Sequence, residues 1–196
     1  ELRQEAKEWF KKLEEGDKKA RLIWQEVKAT SLREFDRIYK LLDVRIDNAY
    51  GESFYENIMP VVIEELKEKK LLKESEGAKV VEAGEGMPPA IIVKSDGTTT
   101  YLLRDLATIK FRFKTWNPDK IIYEVGADQI LHFRQLFKIA ALLGWKDERE
   151  FIHVAHGLIR FKEGKMSTRK GQTVTLEGVL QEAVKRAREI IERSET

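Results

Sequence analysis

Apolar residues recur at helical spacing through the first third of the chain. Trp9, Phe10 and Leu13 form one short stripe, closed by Gly16-Asp17, and Leu22, Ile23 and Val27 begin another. Leu32, Phe35, Ile38, Tyr39 and Leu42 make a third apolar face. Ser31 followed by Glu34 reads as a capping box that starts a separate helix there. Residues 58–72 predict a fourth helix. The pattern then shortens. Residues 79–82 and 90–93 are β-like runs on either side of a Gly/Pro loop, residues 83–89. Asp96-Gly97 predicts a turn, with residues 99–103 returning as a strand. A helical pattern from Arg104 stops at Asn117-Pro118.

The last third alternates. Residues 120–125 form an apolar strand ending at Gly126. Ile130, Phe133, Leu136, Phe137, Ala140 and Leu143 share a helix face closed by Gly144. Residues 151–159 read as a second strand, and a long amphipathic helix begins near Leu176. Strand, helix, strand and helix in this order predict an α/β fold with a parallel sheet.

Composition narrows the chemistry. The chain has 196 residues, with 36 Lys/Arg against 34 Asp/Glu, a net charge of +2. That balance does not suit strong, salt-dependent coating of a polyanion. With 42% hydrophobic residues, wholesale disorder is excluded. There is no cysteine, which removes disulfides, zinc thiolates and cysteine nucleophiles. Three histidines do not favour a multi-histidine metal site. No apolar run reaches the roughly 18 residues that span a bilayer. The opening Glu1-Leu2-Arg3 lacks an initiating Met and an apolar leader, so the expectation is a cytoplasmic chain cut from a longer one.

Four segments offer chemistry. Gly164-Lys165-Met166-Ser167-Thr168-Arg169-Lys170-Gly171, with Arg160 and Lys162, places cations and hydroxyls between glycines, which suits a triphosphate. It is not the GxxxxGK[ST] pattern, and an exposed basic loop is the alternative. Val125-Gly126-Ala127-Asp128-Gln129-Ile130-Leu131-His132 turns from strand to helix at the edge where open α/β sheets bind ligands. Gly126 lets a ligand approach the backbone. Asp128 is an acceptor for a ribose hydroxyl or only a cap, and Gln129 and His132 share a helix face. Tyr101 and Asp105 in Tyr101-Leu102-Leu103-Arg104-Asp105 pair a phenol with a carboxylate, a combination for a guanidinium or ammonium, or else a packing Tyr and a helix-start Asp. His156, Gly157 and Leu158 end the second strand, where backbone can meet a flat ring; His156 is otherwise a satisfied structural histidine. No GxSxG or paired-carboxylate motif is present.

Taken in order, these segments resemble the class I aminoacyl-tRNA synthetases, and most closely the arginyl-tRNA synthetase family. Lys165-Met166-Ser167-Thr168-Arg169 is similar to the KMSKS loop. Tyr101 to Asp105 resembles the family's Y-x-x-R-D segment, and Tyr123 to Phe137 its strand-to-helix segment. Asp47 with Gly51-Glu52-Ser53 and Tyr55 resembles its D…G-E-S-x-Y stretch. The resemblance implies an arginine–tRNA ligase. Arginine would be held by Tyr101, Asp105 and Gln129. ATP would lie against Gly126, Asp128, His132, His156, Gly157, Leu158 and Met166, with Mg²⁺ accompanying it. Lys165, Ser167 and Arg169 would hold the pyrophosphate, and tRNA(Arg) would be the partner.

Two departures qualify the resemblance. Thr168 stands where KMSKS has its second lysine, and the HIGH signature is absent. The expected organisation is therefore a mainly helical insertion over residues 1–98 and the second half of a Rossmann-like core over residues 99–196. Such a piece would be inactive alone and open to self-association through an uncovered sheet edge. A nucleotide- or RNA-binding module derived from a synthetase, without ligase chemistry, is the alternative.

Overall fold

The computed structural model describes residues 2–157, 160–161, 164–165 and 175–194. These residues group into two compact units, Glu1–Ala49 with Arg169–Thr196, and Tyr50–Thr168.

The first unit is helical. Helix α1 (Leu2–Glu14) ends at a turn where Gly16 takes φ +83°. Asp17 caps α2 (Lys18–Leu41) by accepting from the Ala20 amide at 2.9 Å. α2 is one helix, contrary to the break expected at Ser31. No Gly or Pro interrupts it, and the Ser31 hydroxyl donates back to the Val27 carbonyl at 3.0 Å, as an interior helical serine does. Helix α6 (Leu176–Ser194) is joined to α2 by Arg37, whose guanidinium donates two 2.8 Å bonds to Glu177. Leu22, Val27 and Phe35 on α2 and Val184 and Ile190 on α6 are more than half exposed.

The second unit holds the core. A 3-10 segment (Glu52–Ile58) leads into α3 (Met59–Glu68), which is shorter than the helix predicted for residues 58–72. Leu72 instead begins β1 (Leu72–Ser75), paired antiparallel with β2 (Ala78–Val81). The two-residue turn between them, Glu76-Gly77, has both φ values positive, as tight hairpins of this length require. β3 (Ala90–Val93) completes the antiparallel sheet. The Asp96-Gly97 turn forms as predicted, with Asp96 accepting from the Thr98 amide and hydroxyl. The returning strand does not form beyond a single bridge between Val93 and Thr99, because α4 (Tyr101–Trp116) begins at once. Thr100 Oγ1 donates to the carbonyls of Ile91 (2.8 Å) and Ile92 (3.2 Å) and pins the start of α4 to β3. The bridge at Thr99 and the bonds of Thr100 thus link β3 to α4 across the boundary expected after residue 98.

Asn117 in the left-handed region ends α4, ahead of Pro118. β4 (Ile121–Gly126), α5 (Ile130–Leu142) and β5 (Phe151–His156) form the predicted parallel unit. Fully buried Val62, Leu66, Ile92, Leu103, Leu106, Ile109, Leu136 and Ile139 tie α3, α4, α5 and the antiparallel sheet into one core. Phe137 of α5 stacks on Phe151 of β5 at 5.1 Å. A short hairpin follows, β6 (Arg160–Phe161) with β7 (Gly164–Lys165).

Candidate functional site

β4 and β5 run in step from Ile121↔Phe151 to Gly126↔His156, so both end at the same level. Gly126 and His156 are therefore cross-strand neighbours at the carboxyl edge, the side on which open parallel sheets bind ligands. Gly126 is buried and His156 exposed. His156 Nδ1–H donates to the carbonyl of its neighbour Gly157 at 3.1 Å, so its ring is held locally. Of the predicted adenine contacts, Leu158 lies outside the described residues.

Between β4 and α5 the chain makes a single 3-10 turn, Ala127–Gln129. Asp128 is exposed within it and Gln129 is the residue before α5. Both therefore precede the helix, where the sequence pattern put them in its first turn. His132 lies in the first turn of α5, half-buried, with its ring in an edge contact with Phe133.

α4 supplies the third part. Tyr101 and Asp105 lie one turn apart on the same face. Tyr101 is 68% exposed and the Arg104 guanidinium lies 5.6 Å from its ring. Asp105 turns inward to α5, and its Oδ2 accepts from His132 Nε2–H at 2.7 Å. This contact joins two segments 27 residues apart in sequence. It sets the Asp105 carboxylate beside the first turn of α5, beyond the end of β4. Lys165 ends β7 opposite Arg160. Its side chain, and all of Met166, Ser167 and Arg169, lie outside the described residues.

Two groups beneath this edge were not singled out by the sequence. His153 on β5 donates to the Val125 carbonyl at 2.9 Å and packs 4.4 Å from Phe133, which fixes β4 against β5 behind Gly126. Tyr123 on β4 packs on Phe133 and Phe137, with Arg112 over its ring at 5.3 Å. Its hydroxyl is buried without a hydrogen-bond partner among the described residues. Burial holds the phenol well above its ordinary range, so it stays protonated. Neither residue has a local sequence signal, since each reads as a core position of a strand.

A carboxylate suits a cationic ligand group, and the carboxyl ends of parallel strands suit a nucleotide. Among the described residues no three His, Asp or Glu side chains are grouped to hold a metal ion. No helix there is long and apolar enough to cross a membrane.

Comparison with known proteins identifies the family. The family profile described as tRNA synthetases class I (R), catalytic domain, matches residues 1–196. The arginine–tRNA ligase of Clostridioides difficile is 50% identical over 192 residues, which cover 97% of this chain and 34% of that protein. That of Halothermothrix orenii is 49% identical over 193 residues, again 34% of its length. The chain thus spans about a third of the curated relatives it matches. Among solved structures, the arginyl-tRNA synthetase of Plasmodium falciparum superposes with a TM-score of 0.79 at 28% identity, over 99% of this chain and 33% of that one. The Thermus thermophilus arginyl-tRNA synthetase shares the fold, with a TM-score of 0.65 at 20% identity over 93% of this chain and 39% of that one. The chain belongs to the family of class I tRNA synthetase catalytic domains of the arginine type.

Proposed function

We propose that the protein carrying this chain is an arginine–tRNA ligase, which activates arginine with ATP and transfers it to tRNA(Arg). The observation that carries the reading is the Asp105 carboxylate, held by His132 beside the start of α5. There it can pair with a guanidinium. Tyr101 and Gln129 complete the arginine end. Gly126, Asp128, His132, His156, Gly157, Leu158 and Met166 face the adenosine, and Lys165, Ser167 and Arg169 take the pyrophosphate. The arginine carboxylate attacks the α-phosphate of ATP, a phosphorus–oxygen bond to pyrophosphate breaks, and arginyl-adenylate forms. The 3′-terminal ribose hydroxyl of tRNA then displaces AMP. Positioning and electrostatics supply the catalysis, with no enzyme nucleophile. Mg²⁺ would accompany the triphosphate and help neutralise its charge, and among the described residues none is assigned to the metal.

Residues 1–98 serve as an insertion and residues 99–196 as half of the nucleotide-binding core, working in the cytoplasm. Residues 1–196 alone are inactive for want of a HIGH-bearing half. Among the described residues β4 and β5 pair only with each other, and such unpaired edges would let residues 1–196 self-associate, which sedimentation equilibrium would detect as dimer. The deciding experiment is arginine-dependent ATP–pyrophosphate exchange with tRNA present. The full-length protein is expected to exchange and residues 1–196 to be silent. Absence of arginine-dependent exchange in the full-length protein, with tRNA still bound, would overturn the ligase reading in favour of a non-catalytic binding module.

A further inference from the structure

We propose that His132 is a positioning residue for arginine selection, acting through Asp105. The inference rests on the reading of Asp105 as the guanidinium acceptor. Three observations support it. The His132 Nε2 to Asp105 Oδ2 distance of 2.7 Å lies in the range of charge-assisted bonds. A carboxylate oxygen accepts here, so His132 Nε2 carries the proton, and the second carboxylate oxygen of Asp105 is left for a ligand. The pair is partly withdrawn from water, with side-chain exposures of 25% for His132 and 36% for Asp105, so the bond orients a group that solvent still reaches.

The geometry matters because α4 and α5 are separate elements. A carboxylate on a free rotor samples orientations about its terminal torsion, which is broad. A donor fixed to Oδ2 from the neighbouring helix sets the carboxylate plane and presents Oδ1. A bidentate or in-plane guanidinium contact depends on that plane, whereas a compact ammonium depends on it much less. His132 is itself held, with its ring edge-on to Phe133 at 5.2 Å, and Phe133 is buried against His153 and Tyr123. The orientation of one acidic side chain is thus anchored in the core behind the β4–β5 edge.

The test compares two opposite substitutions in the full-length protein by ATP–pyrophosphate exchange. His132→Phe keeps the ring and its packing but removes the donor. His132→Gln keeps a donor near the Nε2 position but loses the ring. The expected result is an arginine KM raised about tenfold or more in H132F, as loss of one charge-assisted bond implies, with a smaller rise in ATP KM from the adenosine contact assigned to the same residue. H132Q should recover most of that loss. H132F in an Asp105→Asn background should add little to the effect of D105N alone, because both act through one carboxylate. The reverse pattern, H132F silent and H132Q damaging, would mean that the ring only packs, and would overturn the inference. So would an H132F defect confined to ATP KM. An arginine KM unchanged in D105N would instead remove the underlying reading of Asp105.

Discussion

Glu65 joins three elements of the larger unit, and its loss is expected to loosen the helix that carries Asp105. One carboxylate oxygen meets the Lys110 ammonium of α4, and the other accepts from Trp145 Nε1–H at 3.0 Å. Lys110 also lies over the Trp145 ring at 5.3 Å. Glu65 and Lys110 are about three-quarters withdrawn from solvent, so water and salt screen the pair less than an ordinary surface pair. Glu65→Ala removes two hydrogen bonds to a carboxylate and leaves an ammonium without its counter-charge, a loss of about 3 kcal/mol. With a urea dependence of about 2 kcal/mol per molar, the unfolding midpoint falls by about 1.5 M. Glu65→Gln retains an acceptor for the indole and should lose about half as much. Pairing Glu65→Gln with Lys110→Met replaces the ion pair by apolar volume and should restore part of the midpoint. Urea titration of residues 1–196 by far-ultraviolet circular dichroism measures all three. A midpoint for Glu65→Ala within about 0.3 M of the parent would show that the joint carries no net stability, and the reasoning fails.

Leu103 on α4 is fully buried in the core, and Leu103→Ala is expected to cost about 2–5 kcal/mol, read as a fall in the same urea midpoint. Asn117 closes α4 at φ +41°, so Asn117→Gly should be neutral or stabilising and Asn117→Val destabilising by about 1–2 kcal/mol in thermal unfolding. Hydrogen bonds from the Thr98 hydroxyl and amide hold the Asp96 carboxyl below the usual carboxylate range. A depressed folded-state value means that the turn's contribution is present above the ordinary aspartate range and is lost as pH falls through the lower folded value. Carbon-detected NMR titration should show Asp96 titrating below a model aspartate, and Thr98→Val should move it back towards the ordinary value.

The elements that the sequence pattern delivered are those whose apolar period matches their burial. α5 presents Phe133, Leu136, Phe137 and Ala140 on one face, and that face is the buried one. β4 and β5 were readable as strands between a helix-ending Asn-Pro and a glycine, and they pair in parallel as alternation with helices implies. Where the structure departs from the pattern, tertiary context overrides a local signal. Ser31 with Glu34 satisfies the capping-box pattern wherever it occurs, yet in α2 the backbone upstream is already helical, so the Ser31 hydroxyl bonds back to Val27. The helical pattern expected over residues 58–72 breaks where Lys70 takes φ +56° and turns the chain into β1, which begins at Leu72. Residues 99–103 alternate well enough for a strand, but Thr100 is consumed in bonds to Ile91 and Ile92 and starts a helix.

The candidate site divides along the same line. Its glycine and its acidic and basic residues are visible because each stands in a short segment with its own chemical character. The bond that makes a site of them is not visible, because Asp105 and His132 belong to different helices, and neither helix's period specifies what its half-buried flank will touch. That flank is set by the core. Leu103 and Leu106 are driven inward from α4 and Phe133 and Leu136 inward from α5. Asp105 lies between the first pair of buried positions and His132 directly before the second. Burial of the apolar residues therefore turns the two polar side chains toward the seam between the helices. Closure of the core leaves a carboxylate and an imidazole facing each other at 2.7 Å. The site is thus a by-product of hydrophobic packing in its geometry, while its charge is written in the sequence.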